Sequence, residues 1–334
     1  MPEPFSAYRI HQRDARIEAR FEQLTLDDLS PGEVVIRVSH SSINYKDALA
    51  ATGQGRILRR YPLVGGIDLA GSVEQSGDPA FKPGDAVLVT GCGLSETRDG
   101  GYAQFARVPA SAVVAMPAGL DAVSAMALGT AGFAAGRAIM RMEINGQKPS
   151  MGPVVVTGAT GGVGSLAIDM LAAKGYEVVA LTGKPESESY LRSLGATQLL
   201  LRGELTVGKQ PLESARWGGA IDNAGGATLS WLLATTNDGG NVASIGLAAG
   251  AELHTTVMPF ILRGVSLLGV NSSAAPRDIR MAVWSRLSSD LKPRHLDRIV
   301  TRNIGLAELP GAFGSFLKGS VIGRTVVRIG PVPL

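Results

Sequence analysis

Cysteine is almost missing from this sequence. The 334 residues include one, Cys92, which excludes an intramolecular disulfide and any structural zinc site built on thiolates, and fits a reducing compartment. Charge of one sign is missing too: 32 basic against 29 acidic residues leave a formal +3, and no run of Lys or Arg forms the basic stripe of a nucleic-acid binder. The first 20 residues lack the apolar core of a signal peptide, and no uninterrupted apolar run is long enough to span a bilayer. A soluble cytoplasmic protein without nucleic-acid or membrane partners is expected. Aromatic residues are scarce, at 5%, whereas hydrophobic residues reach 45% and glycines number 43. That balance suits tightly packed α/β layers, and the length suggests two domains.

What is present is concentrated between Val154 and Lys184, where VVVTGATGGVGSLAIDMLAAKGYEVVALTGK reads as a complete βαβ unit. Val154, Val155 and Val156 form a β-branched run suited to a buried parallel strand. Gly158, Gly161, Gly162 and Gly164 follow at once. Glycine lets the backbone come within hydrogen-bonding distance of a pyrophosphate, and the helix that starts here points free N–H groups at that charge. The helix is expected from about Val163 to Lys174, with Gly175 as its stop. A second strand, Val178 to Leu181, ends at Thr182-Gly183-Lys184. A site for NAD(H) usually places an Asp or Glu about 20 residues past the glycines, on the ribose 2′-hydroxyl. A hydroxyl, a glycine backbone and a lysine suit a 2′-phosphate instead, so the expected cofactor is NADPH.

Residues 1 to about 125 read differently, as short strands separated by turn residues. Arg9-Ile10, Glu33–Val38, Gly66–Val73, Ala86–Thr90 and Tyr102–Val108 are candidates, and together they predict a small, mostly β, barrel-like domain. Two stretches in it carry polar chemistry. In His40-Ser41-Ser42-Ile43-Asn44-Tyr45-Lys46-Asp47, His40 reads as a strand-end histidine, and Tyr45 as a short-range proton donor. Asp68, inside an apolar segment, reads as a buried structural carboxylate rather than a base. Cys92 reads as a small loop residue, with nothing nearby to activate it. From Met126 to Arg141 the pattern turns helical, and Thr130 is either a helix-start hydroxyl or a cofactor contact. Beyond Lys184 the α/β alternation continues, with helices expected over Glu186–Leu194, Ser230–Thr235 and Arg277–Leu291. Strands are expected at Gln198–Leu201, Ala220–Asp222, Asn241–Gly246 and Val265–Val270. In a doubly wound sheet the strand ends face the ligand, which makes Arg202, Asp222, Leu247 and Asn271 candidate lining residues by position. Val265–Val270 could also pair edge to edge in a homodimer. The strand Gly323–Arg328 is expected to return to the first domain.

The TGATGGVG turn, GIDLAGSV at 66–73 and the tail GRTVVRI resemble the medium-chain dehydrogenase/reductase superfamily over nearly the whole chain. SSINYKDALAATGQGRILRRYP, LGTAGFAA and TTVMPFILR resemble, more narrowly, its zinc-free acrylyl-CoA reductase branch, whose members also carry quinone oxidoreductase names. The resemblance implies an α/β fold: a Rossmann-type doubly wound parallel sheet over 128–300 that binds NADPH, plus a β-rich GroES-like barrel formed by 1–127 and 301–334 that carries catalysis. Zinc-dependent members use a cysteine near Asn44 and a cysteine-rich lobe; both are missing here, so no metal is expected. The implied reaction is reduction of the enoyl-CoA thioester acryloyl-CoA to propanoyl-CoA, with NADPH:quinone oxidoreduction and non-catalytic NADPH binding as alternatives. By matching positions, Asn44 and Tyr45 would face the nicotinamide as catalytic residues. Thr160, Gly161, Gly162 and Val163 would hold the pyrophosphate, and Thr182, Gly183 and Lys184 the 2′-phosphate. Arg202, Leu247, Ile261 and Asn271 are further cofactor contacts. The branch tends to have Arg where this chain has Lys184, which keeps the charge but loses the bidentate fork. A short-chain dehydrogenase is excluded, since the glycine turn lies mid-chain and none of the six tyrosines has Lys four residues on.

Overall fold

The computed structural model describes residues 3–14, 16–205, 208 and 210–332. The chain divides into two compact units, residues 1–130 with 273–288 and 300–334, and residues 131–272 with 289–299.

In the second unit the strands Val154–Thr157, Val178–Thr182, Gln198–Leu201, Trp217–Asp222, Thr236–Ser244 and Ser266–Gly269 all pair in parallel. Numbered in chain order, they lie 3-2-1-4-5-6 across the sheet. The order of a doubly wound sheet therefore reverses between Val154–Thr157 and Trp217–Asp222. The central strand has no polar alternation because both its faces are covered: Val154, Val155 and Val156 are wholly buried. The helix Gly162–Ala173 buries Leu166, Ala167, Ile168, Met170 and Leu171. Its approach to the strand rests on Gly164, where a Cβ would lie 2.4 Å from the carbonyl oxygen of Gly158 and 2.8 Å from Ala159 Cα.

The first unit is built around Val34–Ile43, which pairs with Asp68–Ser76, Phe105–Val108 and Arg324–Arg328 in a seven-stranded sheet. The return of the last strand is as the sequence suggested, with Thr325 opposite Ile43. A separate three-stranded sheet holds Arg16–Leu24, Phe5–Arg13 and Leu63–Val64. The strand candidate Arg9-Ile10 falls inside Phe5–Arg13, while its hairpin partner Arg16–Leu24, charged on its open face and half-buried on the other, was not read from the sequence. The helices Tyr45–Thr52 and Leu309–Leu317 were missed as well. The segment 273–288 differs from the expected 128–300 division: its helix Arg277–Leu287 lies with the first unit, where Arg277 donates to the carbonyls of Ser111 and Val113 and Arg280 to that of Thr90.

The helix Ala122–Ile144 is broken at Gly129, whose φ of 51° and ψ of −154° are non-helical. Among the described residues it alone is long and apolar enough by composition to cross a membrane, yet 72% of its most apolar window is buried within the protein, as in a core helix.

Gly164→Ala should lower stability by about 1–3 kcal/mol, because the new methyl must push helix and turn apart. Gly311→Ala, in an exposed helical position where a Cβ meets nothing within 4 Å, should be neutral or stabilising by up to about 1 kcal/mol. Thermal melts of the two variants check this, and equal effects would contradict the packing argument.

Candidate functional site

The crevice of the second unit opens where the strand order reverses. Thr157, the last residue of the first strand, donates its hydroxyl to Asp222 Oδ1 at 2.7 Å and accepts the Asn223 N–H at 2.8 Å. Asn223 Nδ2 donates back to the Thr157 carbonyl at 2.7 Å. Asp222 also takes the N–H groups of Ala224 and Gly225. It is wholly buried, and burial raises its pKa against those hydrogen bonds. Its carboxylate fixes the two strand ends to each other and does not line the crevice, which corrects the position-based expectation for Asp222.

Gly158, with φ of 59°, turns the chain out of the strand, and Gly161 stands at the N-cap of the helix with no side chain capping it. The first N–H groups therefore have no side-chain acceptor in the helix itself, the arrangement that receives an anion. Gly161, Gly162 and Val163 are partly exposed at this end, while Thr160 is turned inward and 5% exposed. Thr160 thus offers backbone to a ligand and keeps its side chain inside.

The second corner lies at the ends of the neighbouring strands, which pair with Thr182 opposite Leu201. Lys184 N–H donates to Thr182 Oγ1 at 3.1 Å. The guanidinium of Arg202 lies against Gly183, its Nη2 3.1 Å from where a Cβ on that glycine would stand. Burial holds the Lys184 ammonium below its usual pKa, with the charge of Glu186 opposing. Thr182, Gly183, Lys184 and Arg202 are thus brought together, with a planar guanidinium standing at 202 beside the lysine at 184.

Leu247 is 67% exposed in the loop after Thr236–Ser244, and that loop lies over the Asn223–Gly226 turn through the Ala249 N–H to Ala224 carbonyl bond of 2.8 Å. Ile261, on the helix Met258–Arg263, and Asn271, after the edge strand, belong to the outer part of the sheet, two strands beyond Trp217–Asp222. The Asn271 carbonyl accepts from Arg137.

In the first unit the polar residues meet around Asp68, which is wholly buried as the sequence suggested. It accepts Ser42 Oγ and Asn44 Nδ2, each at 2.7 Å, and both the N–H and the hydroxyl of Thr130, the latter at 2.6 Å. The Thr130 hydroxyl proton is therefore committed to Asp68. Arg324, 3% exposed, stands 3.9 Å from the same carboxylate and donates to Asn44 Oδ1, Ser42 Oγ and the carbonyls of Met126, Ala127 and Ile43. Asn44 Nδ2 reaches Asp47 Oδ2 as well, at 3.2 Å, so the whole Asn44 amide is used inside the network. Asn44 also caps the helix Tyr45–Thr52 in a capping box with Asp47. Tyr45, the next residue, is 47% exposed. The break at Gly129 is needed here, since a Cβ would stand 2.6 Å from Asp68 Oδ2 and 2.7 Å from Arg324 Nη2.

Arg324, Asp47 and Gly129 were missed from the sequence. A charged residue inside the apolar run GRTVV was the available signal for Arg324, and Asp47 lay in the polar stretch after the strand without a role of its own; nothing local marked the break at Gly129. His40 is half-buried, and burial lowers its pKa. Burial also raises the Cys92 thiol against the nearby charge of Arg280, so that thiol is not activated. Among the described residues no three His, Cys, Asp or Glu side chains come together as a metal-ligand set.

Two family models match the chain, Alcohol dehydrogenase GroES-like domain over residues 30–118 and Zinc-binding dehydrogenase over residues 162–289. Acrylyl-CoA reductase AcuI of Ruegeria pomeroyi is 48% identical over 320 residues, which cover 95% of this chain and 96% of that protein. YhfP of Bacillus subtilis, whose name assigns it provisionally to the quinone oxidoreductases, is 45% identical over 326 residues, 97% of this chain and 99% of that protein. Its crystal structure with NAD bound superimposes with a TM-score of 0.95 over 98% of this chain and 99% of that one. The yhdH oxidoreductase of Salmonella enterica in complex with NADP gives a TM-score of 0.94 at 45% identity, covering 97% of this chain and all of that one.

Burial and the adjacent charge of Asp68 push the Asp47 carboxyl up to about 7 from 3.8. A carboxyl whose folded pKa is raised binds its proton more tightly in the folded state. Its stabilising effect is full below the unfolded value and is lost as pH rises through the folded one. Unfolding free energy should therefore fall between pH 4 and 7 by an amount on the order of 2–4 kcal/mol from this group. Asp47→Asn should be less stable at every pH, because its amide faces the Ile67 or Asn44 N–H, but should lose that slope. Urea titrations across the range test it; identical slopes in both proteins would refute the assignment.

Proposed function

This chain belongs to the medium-chain dehydrogenase/reductase family, in the branch of the acrylyl-CoA reductases, and on that premise we propose that it is an NADPH-dependent reductase of an activated C=C bond, acting on acryloyl-CoA to give propanoyl-CoA. The observation that carries the cofactor reading is the corner at Gly183, where Lys184 and Arg202 supply two cations and the strand ends carry no carboxylate. The likeness to AcuI, extending over 95% of the chain, supports the substrate. An uncapped helix N-terminus at Gly161 suits the pyrophosphate.

NADPH, when bound, supplies a hydride to the β-carbon of the thioester. Negative charge then develops on the thioester oxygen, where hydrogen-bond donors stabilise it, and a proton is added at the α-carbon. Tyr45 is the proton donor in this reading, an exposed phenol on the first turn of a helix. Asn44 is a positioning residue: with its amide spent on Asp68, Asp47 and Arg324, it fixes the helix start that presents Tyr45. Thr130, Leu247, Ile261 and Asn271 remain proposed cofactor contacts, with Leu247 best supported by its place over the Asn223–Gly226 turn.

The second reading is NADPH:quinone oxidoreduction, favoured by the name of YhfP. Purified protein should turn over acryloyl-CoA with a kcat/KM about two orders of magnitude above that for a benzoquinone, and the reverse ranking would favour the second reading. In the same assay Lys184→Glu should raise the KM for NADPH by about 10- to 100-fold while sparing NADH. Equal change with both coenzymes would remove the 2′-phosphate site.

The reading includes a cytoplasmic homodimer. Among the described residues the edge strand Ser266–Gly269 pairs on one side only, and Leu267 on it and Val257, Ile261 and Leu262 in the preceding segment are exposed. An open apolar edge is ordinarily covered. Sedimentation at micromolar concentration should give the mass of two chains, and a monomer would overturn it.

A further inference from the structure

Both hydrogen-bonding groups of Ala159, in the glycine turn, lead to the segment that carries the 2′-phosphate corner. Its N–H donates to the carbonyl of Leu181 at 3.2 Å, one residue before Thr182. Its carbonyl accepts from Ser165 Oγ at 3.3 Å, and Ser165 Oγ in turn accepts the phenol of Tyr190 at 2.9 Å. Ser165 is wholly buried, and Tyr190 stands on the short helix Glu188–Ser193, which follows Lys184 through the turn Pro185–Ser187. Burial pushes the Tyr190 phenol up to about 12, so it stays a proton donor across the physiological range. Gly164 leaves no other side chain in contact with this carbonyl from its own position, since even a methyl there would lie 2.8 Å from it.

We propose that Tyr190 is a positioning residue that couples the two anion sites of the cofactor, by holding the glycine turn through Ser165 to the segment that grips the 2′-phosphate. The proposal rests on the NADPH reading above. Gly158 and Gly161 bring no side chain to the turn and Thr160 packs inward, so the hydrogen bonds of Ala159 are what join the turn to the segment after Leu181. Among the described residues, loss of the phenol leaves Ala159 its bond to Leu181. A 2′-phosphate seated on Lys184 and Arg202 orders residues 182–190, and the Tyr190–Ser165–Ala159 chain passes that order to the N–H groups that receive the pyrophosphate. Binding at one end then strengthens binding at the other, a coupling free energy between sites.

The test is a cycle with two perturbations, removal of the ligand's 2′-phosphate (NADPH against NADH) and removal of the phenol oxygen (Tyr190→Phe). The Kd of each coenzyme is measured by calorimetry on the full chain. Tyr190→Phe should weaken NADPH more than NADH, narrowing the ratio of the two Kd values by about 3- to 10-fold, the size of one hydrogen bond. Ser165→Ala should narrow it as much, and the double variant no further, because both break one chain. A purely structural role would lower the melting temperature or shift both Kd values equally, and either result with an unchanged ratio overturns the proposal. A wild-type protein with no preference for NADPH would instead overturn the cofactor reading on which it rests.

Discussion

At Gly164 a helix backbone and a strand-turn backbone come closer than any side chain permits, with Gly158 and Ala159 occupying the space a Cβ would need. That approach draws the start of Gly162–Ala173 over the end of the central strand, and the helix then ends in N–H groups with no side-chain cap. The sheet order supplies the rest, because the strand on one side of Val154–Thr157 continues the winding and the strand on the other begins it in the opposite sense. Thr157 and Asp222 pin the two strand ends where the helices part. A crevice with a positive end facing it follows from backbone geometry, before any charged side chain is counted.

The first unit solves a different problem. Two carboxylates, Asp47 and Asp68, are buried with one guanidinium, Arg324. Desolvating three ionisable groups costs more than a single ion pair at 3.9 Å returns, which is why the Asp47 carboxyl is pushed up while Arg324 is pushed down. The network is therefore poorly explained as a source of stability. What it fixes is conformation: through Asn44 it sets where the helix Tyr45–Thr52 begins, and through Thr130 and Gly129 it sets where Ala122–Ile144 breaks. The single side chain at the start of Tyr45–Thr52 that faces solvent on a large aromatic surface is Tyr45.

The parts of this protein that were legible in its sequence are those whose cause is local. The βαβ unit announces itself because a β-branched run, a glycine turn and an apolar helix must be contiguous to function, and the missing carboxylate after Val178–Thr182 is a positive statement about charge at a known offset. Arg202 was placed by strand position and by the family resemblance; its proximity to Gly183 depends on parallel pairing in register. What stayed hidden is set by distant contacts. Arg324 reaches Asn44 across 280 residues, and no window of sequence contains that relation. Of the hairpin at Phe5–Leu24 only Arg9-Ile10 was read as strand, although in Arg16–Leu24 the apolar Ile17, Ala19 and Phe21 alternate with Arg16, Glu18 and Arg20, the period of a half-solvated strand. Asp222 shows the limit of position as a guide: it stands at the right strand end, but its side chain turns inward to Thr157.

Coenzyme selectivity in this arrangement has a particular form. On the proposed reading Lys184 and Arg202 attract a phosphate, and the two strand ends themselves, Thr182 and Leu201, present no carboxylate to a ribose hydroxyl. Discrimination therefore comes from attraction alone, with no element acting against the wrong ligand. The Lys184 ammonium, half-buried and with the negative charge of Glu186 acting on it, is a point charge whose hold on a phosphate weakens as salt rises. The guanidinium of Arg202 is exposed to the same screening but adds direction, since its plane lies against the Gly183 backbone. On the proposed reading, a corner built this way prefers the phosphorylated coenzyme by the strength of those contacts and still admits the other. That is consistent with relatives of equal identity seen with NADP in one case and NAD in the other.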